Sequence, residues 1–448
     1  MNITDAFIEI LHGFSSRPIN ENIMEKAKLC VLDYLGCTYV GATMQKEQTN
    51  ALLGKLSSEG SAVLLGMNKK ADAMTAALVN GLNAHKAELD DGHRFAMLHP
   101  GVPVISALLA AAPVFKFDGD AFLRGLIAGY EAAVRLGRAI QPSHKMRGGH
   151  ASGSCGVIGA AAAISIAAGF DKTGLKNAVS AAATCASALL EMMDDSSEMK
   201  PYNVGQAALN GYVSAVMGSS GFAGPCDPIG GKRGFLRVMA DSYDTSFITG
   251  NNNDGKLCIE QIYVKSYAAC RHCHPAIEAA LSLVSRHNIS AGEIENIEIE
   301  TYKLAISGHD HTAIGSTGAA KMSTPFSIAT AIVNGRAGLS EFDGAAISRE
   351  DIFLLAQKVT LNENPELTDL SPGKRAAIVR ICLSDGQAFE HRVDDTLGEP
   401  ENPMTAVDME EKFAGLAGHA GLPEQTVSRA IAATRSMDKD FETWINSI

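Results

Sequence analysis

The sequence predicts a mostly α-helical protein, in which a large all-helical domain is built from both ends of the chain and a smaller α+β domain is inserted between them. Apolar residues recur at helical spacing through residues 1–255. Segments of alternating apolar and polar residues appear only within 256–397, and helical spacing returns over 398–448. The 448 residues are also too many for one compact core.

The first region is predicted to be almost entirely helical. Helical spacing covers 3–11, 24–40, 71–88, 102–114 and 121–140, and Asp118 and Asp120 precede the last of these as candidate caps. Segments 151–168 and 173–190 are rich in Ala, Gly and Ser. Because small residues let helix backbones approach closely, we expect these two helices at the centre of the bundle.

The inserted region begins after a turn-rich stretch at 249–255 and ends at a proline-containing linker, 398–403. Strands are predicted at 296–302, 358–361, 377–384 and 387–393, with the last two joined as a hairpin across Asp385-Gly386. Helices are predicted at 275–287, 323–334 and 348–357, and then, in the C-terminal part, at 407–417, 424–433 and 438–445. A cleft between the two domains is the expected binding site.

Composition narrows the functional classes. The net charge of −12 argues against binding to nucleic acid or to anionic membranes, although a locally basic pocket can still accept an anion. The N-terminus carries acidic residues where a signal peptide needs cations, and the longest nearly apolar run, 155–170, is too short to span a bilayer. We therefore expect a cytoplasmic protein with mostly reduced cysteines.

One short segment concentrates unusual chemistry. Residues 265–275 contain Lys265, Cys270, Arg271, Cys273 and His274. The spelling C-x-x-C-H is that of a covalent haem site, and its two thiols and imidazole could also ligate zinc. Haem attachment needs an exported protein, and no second ligand pair accompanies these three residues, so we expect neither a metal nor a cofactor. The segment can instead offer Lys265 and Arg271 to an anionic substrate, or be a solvated loop.

Three other positions place ionisable groups at helix ends. The stretch that follows the helix at 71–88 holds acids and imidazoles and ends at His99-Pro100; its members are Glu88, Asp90, Asp91, His93 and His99. Gly149-His150 opens one helix and Lys200-Pro201 opens another, positions that favour anions. The alternative is structural, with the aspartates as helix caps and His99 as a core histidine.

These residues, in this order, resemble the MmgE/PrpD family over nearly the whole chain. The similar segments are Ala84-His85…Glu88-Leu-Asp90-Asp91-Gly92-His93…His99-Pro100, Gly149-His150-Ala-Ser-Gly, Lys200-Pro201…Gly205-Gln-Ala-Ala, Lys265-Ser-Tyr267-Ala-Ala-Cys270-Arg271…His274-Pro275, Ala320-Lys321-Met-Ser-Thr-Pro325 and Asn402-Pro403-Met-Thr405. The resemblance implies an all-helical domain with a smaller α+β domain, a homodimer, no metal, and a di- or tricarboxylate substrate.

It also implies a set of site residues. Acid and base would come from His99, His150 and Lys200, with Asp91 orienting the imidazoles. The substrate would be bound by Glu88, Asp90, His93, Lys265, Tyr267, Arg271, His274 and Lys321. Such groups suit reactions that develop negative charge beside a carboxylate, because cations stabilise that charge and a positioned acid or base moves the proton.

The resemblance leaves the reaction open. We expect a hydro-lyase that resembles 2-methylcitrate dehydratase; the alternatives are an epimerase or isomerase of a dicarboxylate such as iminodisuccinate, a cis-aconitate-type decarboxylase, and a metal or haem protein that uses Cys270, Cys273 and His274. The sequence departs from the decarboxylase branch at Glu88, Gly92 and Cys270, where that branch has Asp, Thr and His, and in a longer spacer before His99.

Overall fold

The computed structural model describes residues 1–56, 58–193, 198–250 and 255–448. The chain divides into two compact units, of which one comprises Met1–Tyr263 with Thr405–Ile448 and the other Val264–Met404. The predicted fold class, mostly α, is confirmed. Most of the turn predicted at 249–255 lies outside the described residues.

The helical unit contains α1 (Ile3–His12), α2 (Glu21–Met44), α3 (Lys46–Leu56), α4 (Ala73–Lys86), α5 (Gly101–Phe115), α6 (Gly119–Ile140), α7 (Ser143–Met146), α8 (Ala151–Ser154), α9 (Gly156–Ala167), α10 (Lys172–Cys185), α11 (Lys200–Ser219), α12 (Phe235–Met239) and α13 (Ser246–Thr249). The C-terminal part of the chain adds α19 (Ala406–His419), α20 (Glu424–Arg435) and α21 (Phe441–Ile445). The sequence did not predict α3 or the small antiparallel hairpin of β1 (Ala62–Leu64) and β2 (Lys69–Ala71). Within the described residues, no helix is both long and apolar enough to cross a bilayer.

The boundaries between the two units fall at residues 263/264 and 404/405, which differ from the predicted boundaries. Residues 256–263 were predicted to belong to the inserted region. They lie in the helical unit because the Cys258 amide donates to Glu131 of α6 (2.7 Å) and Tyr263 exchanges two backbone hydrogen bonds with Gly92 (2.8 and 3.0 Å). The predicted linker at 398–403 belongs to the other unit, where Gly398 accepts from the Val264 amide (2.9 Å).

The centre of the helical unit is α9, every residue of which is buried. It packs against α6, α11, α5 and α10. At the crossing with α6, a Cβ on Gly159 would lie 2.8 Å from the Gly129 carbonyl oxygen, so only glycine allows this approach. The small-residue composition of 151–168 therefore has the close-packing role that the sequence predicted.

A second close crossing matters more for the site. Helices α4 and α11 pass each other at Gly81 and Gly205, where a Cβ on Gly81 would come within 2.7 Å of the Gly205 Cα. His85 lies one turn beyond Gly81 on α4, and Lys200 begins α11. The two glycines thus bring an imidazole and an ammonium group from separate helices into one neighbourhood.

The α+β unit contains α14 (His274–His287), β3 (Ile294–Thr301), α15 (Thr317–Met322), α16 (Thr324–Asn334), α17 (Glu350–Ala356), β4 (Val359–Glu363), α18 (Pro365–Leu370), β5 (Ala377–Leu383) and β6 (Ala388–Val393). The strand order is β4-β3-β5-β6, with β3 and β4 parallel and the other pairs antiparallel. Ile297, Ile299 and Thr301 are buried while Glu298 and Glu300 between them are exposed, as the alternation predicted. The predicted hairpin across Asp385-Gly386 is confirmed, with Gly386 at φ 90°.

Candidate active site

The loop from α4 to α5 gathers several ionisable side chains. His85 lies in the last turn of α4, and Glu88 follows at φ 59°, a left-handed conformation that is unusual for a residue with a side chain. The loop is then held by two isolated bridges, Gly92 with Tyr263 and His93 with Leu98.

Asp90 joins two imidazoles. One carboxylate oxygen lies 2.8 Å from Nδ1 of His85 and 3.3 Å from Nδ1 of His99. The two rings are 5.0 Å apart between centroids in an edge-to-face arrangement. Since the same His99 Nδ1 lies 2.5 Å from the Asp91 carbonyl oxygen, that nitrogen carries its proton and Nε2 is left as the base.

Asp91 has a structural setting. Its carboxylate accepts from the Tyr130 hydroxyl (2.5 Å) and from the Gly101 amide at the start of α5 (3.1 Å). The side chain is buried, and burial raises the pKa of Asp91 to about 7. Asp91 therefore fixes the entrance to α5 and, through its carbonyl, the ring of His99.

His150 approaches the same cluster from the start of α8. Its ring centroid lies 6.4 Å from that of His85. The Asn203 amide nitrogen donates to the Leu189 carbonyl (2.9 Å) and lies 3.3 Å from His150 Nδ1. Because Asn203 donates to Nδ1, the proton of a neutral His150 ring is on Nε2, where it can be given to a bound molecule.

Lys200 forms a close ion pair with Glu88. Its Nζ lies 2.6 and 2.5 Å from the two carboxylate oxygens. The Lys200 side chain is 17% exposed and that of Glu88 is 41% exposed, so the pair lies at the edge of the cluster that solvent reaches. Lys200 and Asn203 are three residues apart on α11 and share one face of that helix.

The electrostatics separate these groups into charged and neutral ones. Burial, and then the nearby His85 and Lys200, hold the pKa of His150 well below its ordinary value. Burial also lowers the pKa of His85, although the Asp90 carboxylate acts in the opposite direction. Burial by itself would raise the pKa of Asp90, but its two imidazole partners keep that pKa well below the usual range. At neutral pH the cluster thus holds an ionised Asp90 and neutral His85 and His150.

The C-terminal part of the chain stabilises the loop between α4 and α5. Lys412 of α19 donates to the Leu89 carbonyl oxygen (2.9 Å) and pairs with Asp33 of α2 (2.5 Å). The lysine side chain is 10% exposed and that of Asp33 only 2%. This buried ion pair holds Lys412 against the backbone next to Asp90. A residue more than 300 positions away in the sequence therefore stabilises the loop that carries Asp90.

Only one trio of metal-ligating side chains converges within the residues that the structure describes. It consists of His85, Asp90 and His99, whose donor atoms already bond to one another or to the backbone. Cys270, Cys273 and His274, the residues of the metal or haem alternative, do not form such a trio within the described residues. They contact His309, Thr324 and the Ala269 carbonyl respectively.

In the α+β unit, the predicted substrate-binding residues are mostly buried. Arg271 is 4% exposed, and its Nη2 donates to Glu399 (2.5 Å) and to the Thr396 hydroxyl (2.6 Å). Lys265 is also buried. Arg271 therefore has a structural ion pair across the unit, and its contact with a substrate stays a prediction.

The other predicted residues of this unit surround the same turn. The Tyr267 ring packs edge-to-face on His274 (centroids 5.3 Å apart), and His274 Nε2 lies 3.1 Å from the Ala269 carbonyl. The Lys321 carbonyl accepts from the Cys270 amide (2.7 Å). These contacts order the segment 265–275 against α15.

The His93 ring contacts Ala96 and Gln261. Its Nδ1 accepts from the Ala96 amide (3.1 Å) and its Nε2 lies 3.4 Å from the Gln261 side chain, so both nitrogens stabilise the loop. Conversely, the sequence missed His85 and Asn203 as site residues. The position of His85 five residues before Asp90, and that of Asn203 three after Lys200, were the available signals.

The fold and this cluster define a class of protein. It is a predominantly helical chain with an α+β unit, in which three imidazoles, two of them linked by a carboxylate, lie near an ammonium group. Such a set can exchange protons with a small molecule and neutralise an anion.

The chain belongs to the MmgE/PrpD family. The MmgE/PrpD N-terminal domain matches residues 5–248, and the MmgE/PrpD C-terminal domain matches residues 267–439. The family that the sequence resembles is thereby confirmed. The C-terminal match extends over α19 and α20, which pack in the helical unit.

Relatives are similar over almost the full length. The chain is 25% identical over 444 residues to a cis-aconitate decarboxylase of Aspergillus terreus, covering 92% of this chain and 89% of that protein. It is 25% identical over 460 residues to the cis-aconitate decarboxylase of Homo sapiens, covering 98% and 92%. It is 26% identical over 454 residues to a cis-aconitate decarboxylase-like protein of Aspergillus oryzae, covering 93% and 90%.

Proposed function

We propose that this protein is a lyase that acts on a small di- or tricarboxylate and breaks a bond next to one of the carboxylates. The observation that carries the proposal is the cluster of His85, Asp90, His99, His150 and Lys200 in a member of a family whose similar relatives are named as decarboxylases. A homodimeric state, taken from the family resemblance, is part of the same proposal.

Lys200 binds a carboxylate of the substrate. In the structure its ammonium group pairs with the Glu88 carboxylate, which supports a carboxylate-binding role for this lysine. As a bond to carbon breaks, negative charge develops beside the substrate carboxylate, and a fixed cation lowers the energy of that state. Glu88 is then displaced, or shares the ammonium group with the substrate.

His150 supplies a proton. It is neutral with the proton on Nε2, so it can protonate a carbanion after carbon dioxide leaves, or a hydroxyl group that departs as water. His99 Nδ1 contacts the Asp90 carboxylate and the Asp91 carbonyl, which supports a role for Nε2 as the base. Decarboxylation needs the acid alone, whereas dehydration needs both.

Decarboxylation is the reaction that the relatives favour. Dehydration of a substrate like 2-methylcitrate is the second candidate, because the cluster offers a base as well as an acid. The sequence also departs from the decarboxylase pattern at Gly92 and Cys270, which favours considering dehydration as well.

A substrate panel followed by NMR in deuterium oxide tests the proposal. Purified protein is incubated with cis-aconitate, citrate, 2-methylcitrate and iminodisuccinate, and the products are identified by ¹H and ¹³C spectra. Loss of carbon dioxide indicates a decarboxylase and loss of water a hydro-lyase. Exchange of a C–H proton without net reaction would instead indicate an epimerase, and inertness toward every acid would refute a carboxylate lyase with these substrates.

A further inference from the structure

Cys270 and His309 form a close pair in the α+β unit. The Cys270 Sγ lies 3.0 Å from Nε2 of His309, although the two residues are 39 positions apart. Cys270 is partly exposed and His309 is buried. A thiol and an imidazole at this separation can share a proton.

The surroundings orient the imidazole. His309 Nδ1 lies 3.1 Å from the Ser307 carbonyl oxygen, which can only accept, so that nitrogen carries a proton. Nε2 of the neutral ring then has its lone pair toward the sulfur. The His272 ring packs edge-to-face on His309, with 5.2 Å between centroids, and is itself bonded to the Tyr302 hydroxyl (2.6 Å).

The charge balance around Cys270 favours the thiolate. Burial has the largest single effect and would raise the pKa of the Cys270 thiol, but the hydrogen bond to His309, the charge of His309, the backbone at His272 and the charge of Lys265 together lower that pKa below its ordinary value. The same bond raises the pKa of His309. Cys273 is fully buried, bonds to the Thr324 hydroxyl (3.3 Å), and has a raised pKa because of burial and the adjacent Cys270.

We propose that Cys270 and His309 constitute a reactive thiolate–imidazolium site that is oxidised by peroxides, with Cys273 as the thiol that resolves the product into a disulfide. The Cys273 amide donates to the Cys270 carbonyl (2.9 Å), which closes a tight turn. The Cα atoms of such a turn lie within about 7 Å, the range in which a disulfide can form.

The reaction needs one peroxide molecule as its oxidant, two thiols and the proton of His309. The Cys270 thiolate attacks one peroxide oxygen, an S–O bond forms as the O–O bond breaks, and the departing hydroxide takes the His309 proton to become water. The sulfur is oxidised to sulfenic acid and the peroxide is reduced. The Cys273 thiol then attacks that sulfur, and the S–S bond forms with loss of a second water.

Competitive alkylation tests the first part. The native protein is treated at pH 7 with a limiting amount of iodoacetamide, and the labelled cysteines are quantified by peptide mass spectrometry. Cys226 is the internal control, since it is exposed and its thiol makes a long contact to the Asn2 amide (3.5 Å). Because the thiolate is the nucleophile, we expect Cys270 to react on the order of tenfold faster despite its lower exposure.

Two further measurements complete the test. His309→Asn should reduce the Cys270 rate to that of Cys226 or below; if this variant does not fold, the ranking in the native protein decides. Equimolar hydrogen peroxide should link Cys270 to Cys273, and in Cys273→Ser should leave a sulfenic acid that dimedone traps at Cys270. Alkylation of Cys226 ahead of Cys270, or oxidation that spares Cys270, would overturn the proposal.

Discussion

The ionisable residues of the two units differ in their partners and in their exposure to solvent. In the helical unit, His85, His99 and His150 lie at or next to helix ends and contact short polar side chains, and Lys200 at the start of α11 has a Glu88 partner that is 41% exposed. In the α+β unit, Arg271, the residue best suited to hold a carboxylate, is already committed to the buried Glu399. A cation that is prominent in a sequence can therefore stabilise the fold, while the imidazoles of the candidate site come from helix ends and from the loop between α4 and α5.

The largest effect is expected from His150→Asn. Because this removes the proposed proton donor, kcat should fall by about 10²–10⁴. Asparagine keeps a polar side chain at the position, so the thermal midpoint should change little. Turnover on the substrate that the panel identifies, measured beside circular dichroism, checks this. A variant with near-normal kcat would remove His150 from the chemistry.

Lys200→Met should reduce kcat/KM by roughly 10²–10³, since it deletes the cation that offsets the developing charge. Lys86→Met is the matched control: Lys86 also pairs with a glutamate, Glu198 (2.9 Å), but lies outside the cluster. Steady-state kinetics on both variants should separate them. Equal losses would point to a general effect of surface charge rather than to substrate binding.

Arg271→Met tests the other side of the comparison. It leaves Glu399 buried without its ion partner, so the free energy of unfolding should fall by about 3–5 kcal/mol. Denaturant titration measures this, and KM is compared on the folded protein. Unchanged stability together with a large rise in KM would show that Arg271 binds the substrate, as the sequence predicted.

The raised pKa of Asp91 predicts that the free energy of unfolding depends on pH. Its pKa is about 7 in the folded protein and near 3.8 when unfolded, so between these values the folded state holds an extra proton. This group's contribution is therefore lost as pH rises from about 4 to about 7, by up to roughly 1.4 kcal/mol per pH unit. In Asp91→Asn that component should disappear from urea titrations across this range. Parallel curves for the two proteins would contradict it.

The smallest effect is expected from Gly205→Ala, which widens the crossing of α4 and α11 and should cost about 1–3 kcal/mol. The added methyl would also shift Lys200 relative to His85, lowering kcat moderately. Gly415→Ala is the control, because open space surrounds Gly415 in α19 and alanine favours a helix. Thermal melts and kinetics on both report whether the close crossing sets the site.

The sequence predicted the fold class and the hairpin because both depend on local periodicity. His150 and Lys200 could be predicted as candidates from their positions at helix starts and from the motifs around them. The pairs Cys270–His309 and Arg271–Glu399 could not, since their members are 39 and 128 residues apart and no spacing rule connects them. His85 was missed because its spacing of five residues from Asp90 is a weak signal, and the two side chains meet only once the loop folds back.

The most direct test of the central claim is a titration of the histidine side chains, labelled with ¹⁵N, with the carboxylate substrate that the panel selects. We predict that His85 and His150 are neutral at pH 7, that their ring signals shift as the ligand binds, and that these shifts are lost in Lys200→Met. If both rings are doubly protonated at pH 7, or if the ligand leaves their signals unchanged, the helical cluster is not where the carboxylate chemistry occurs.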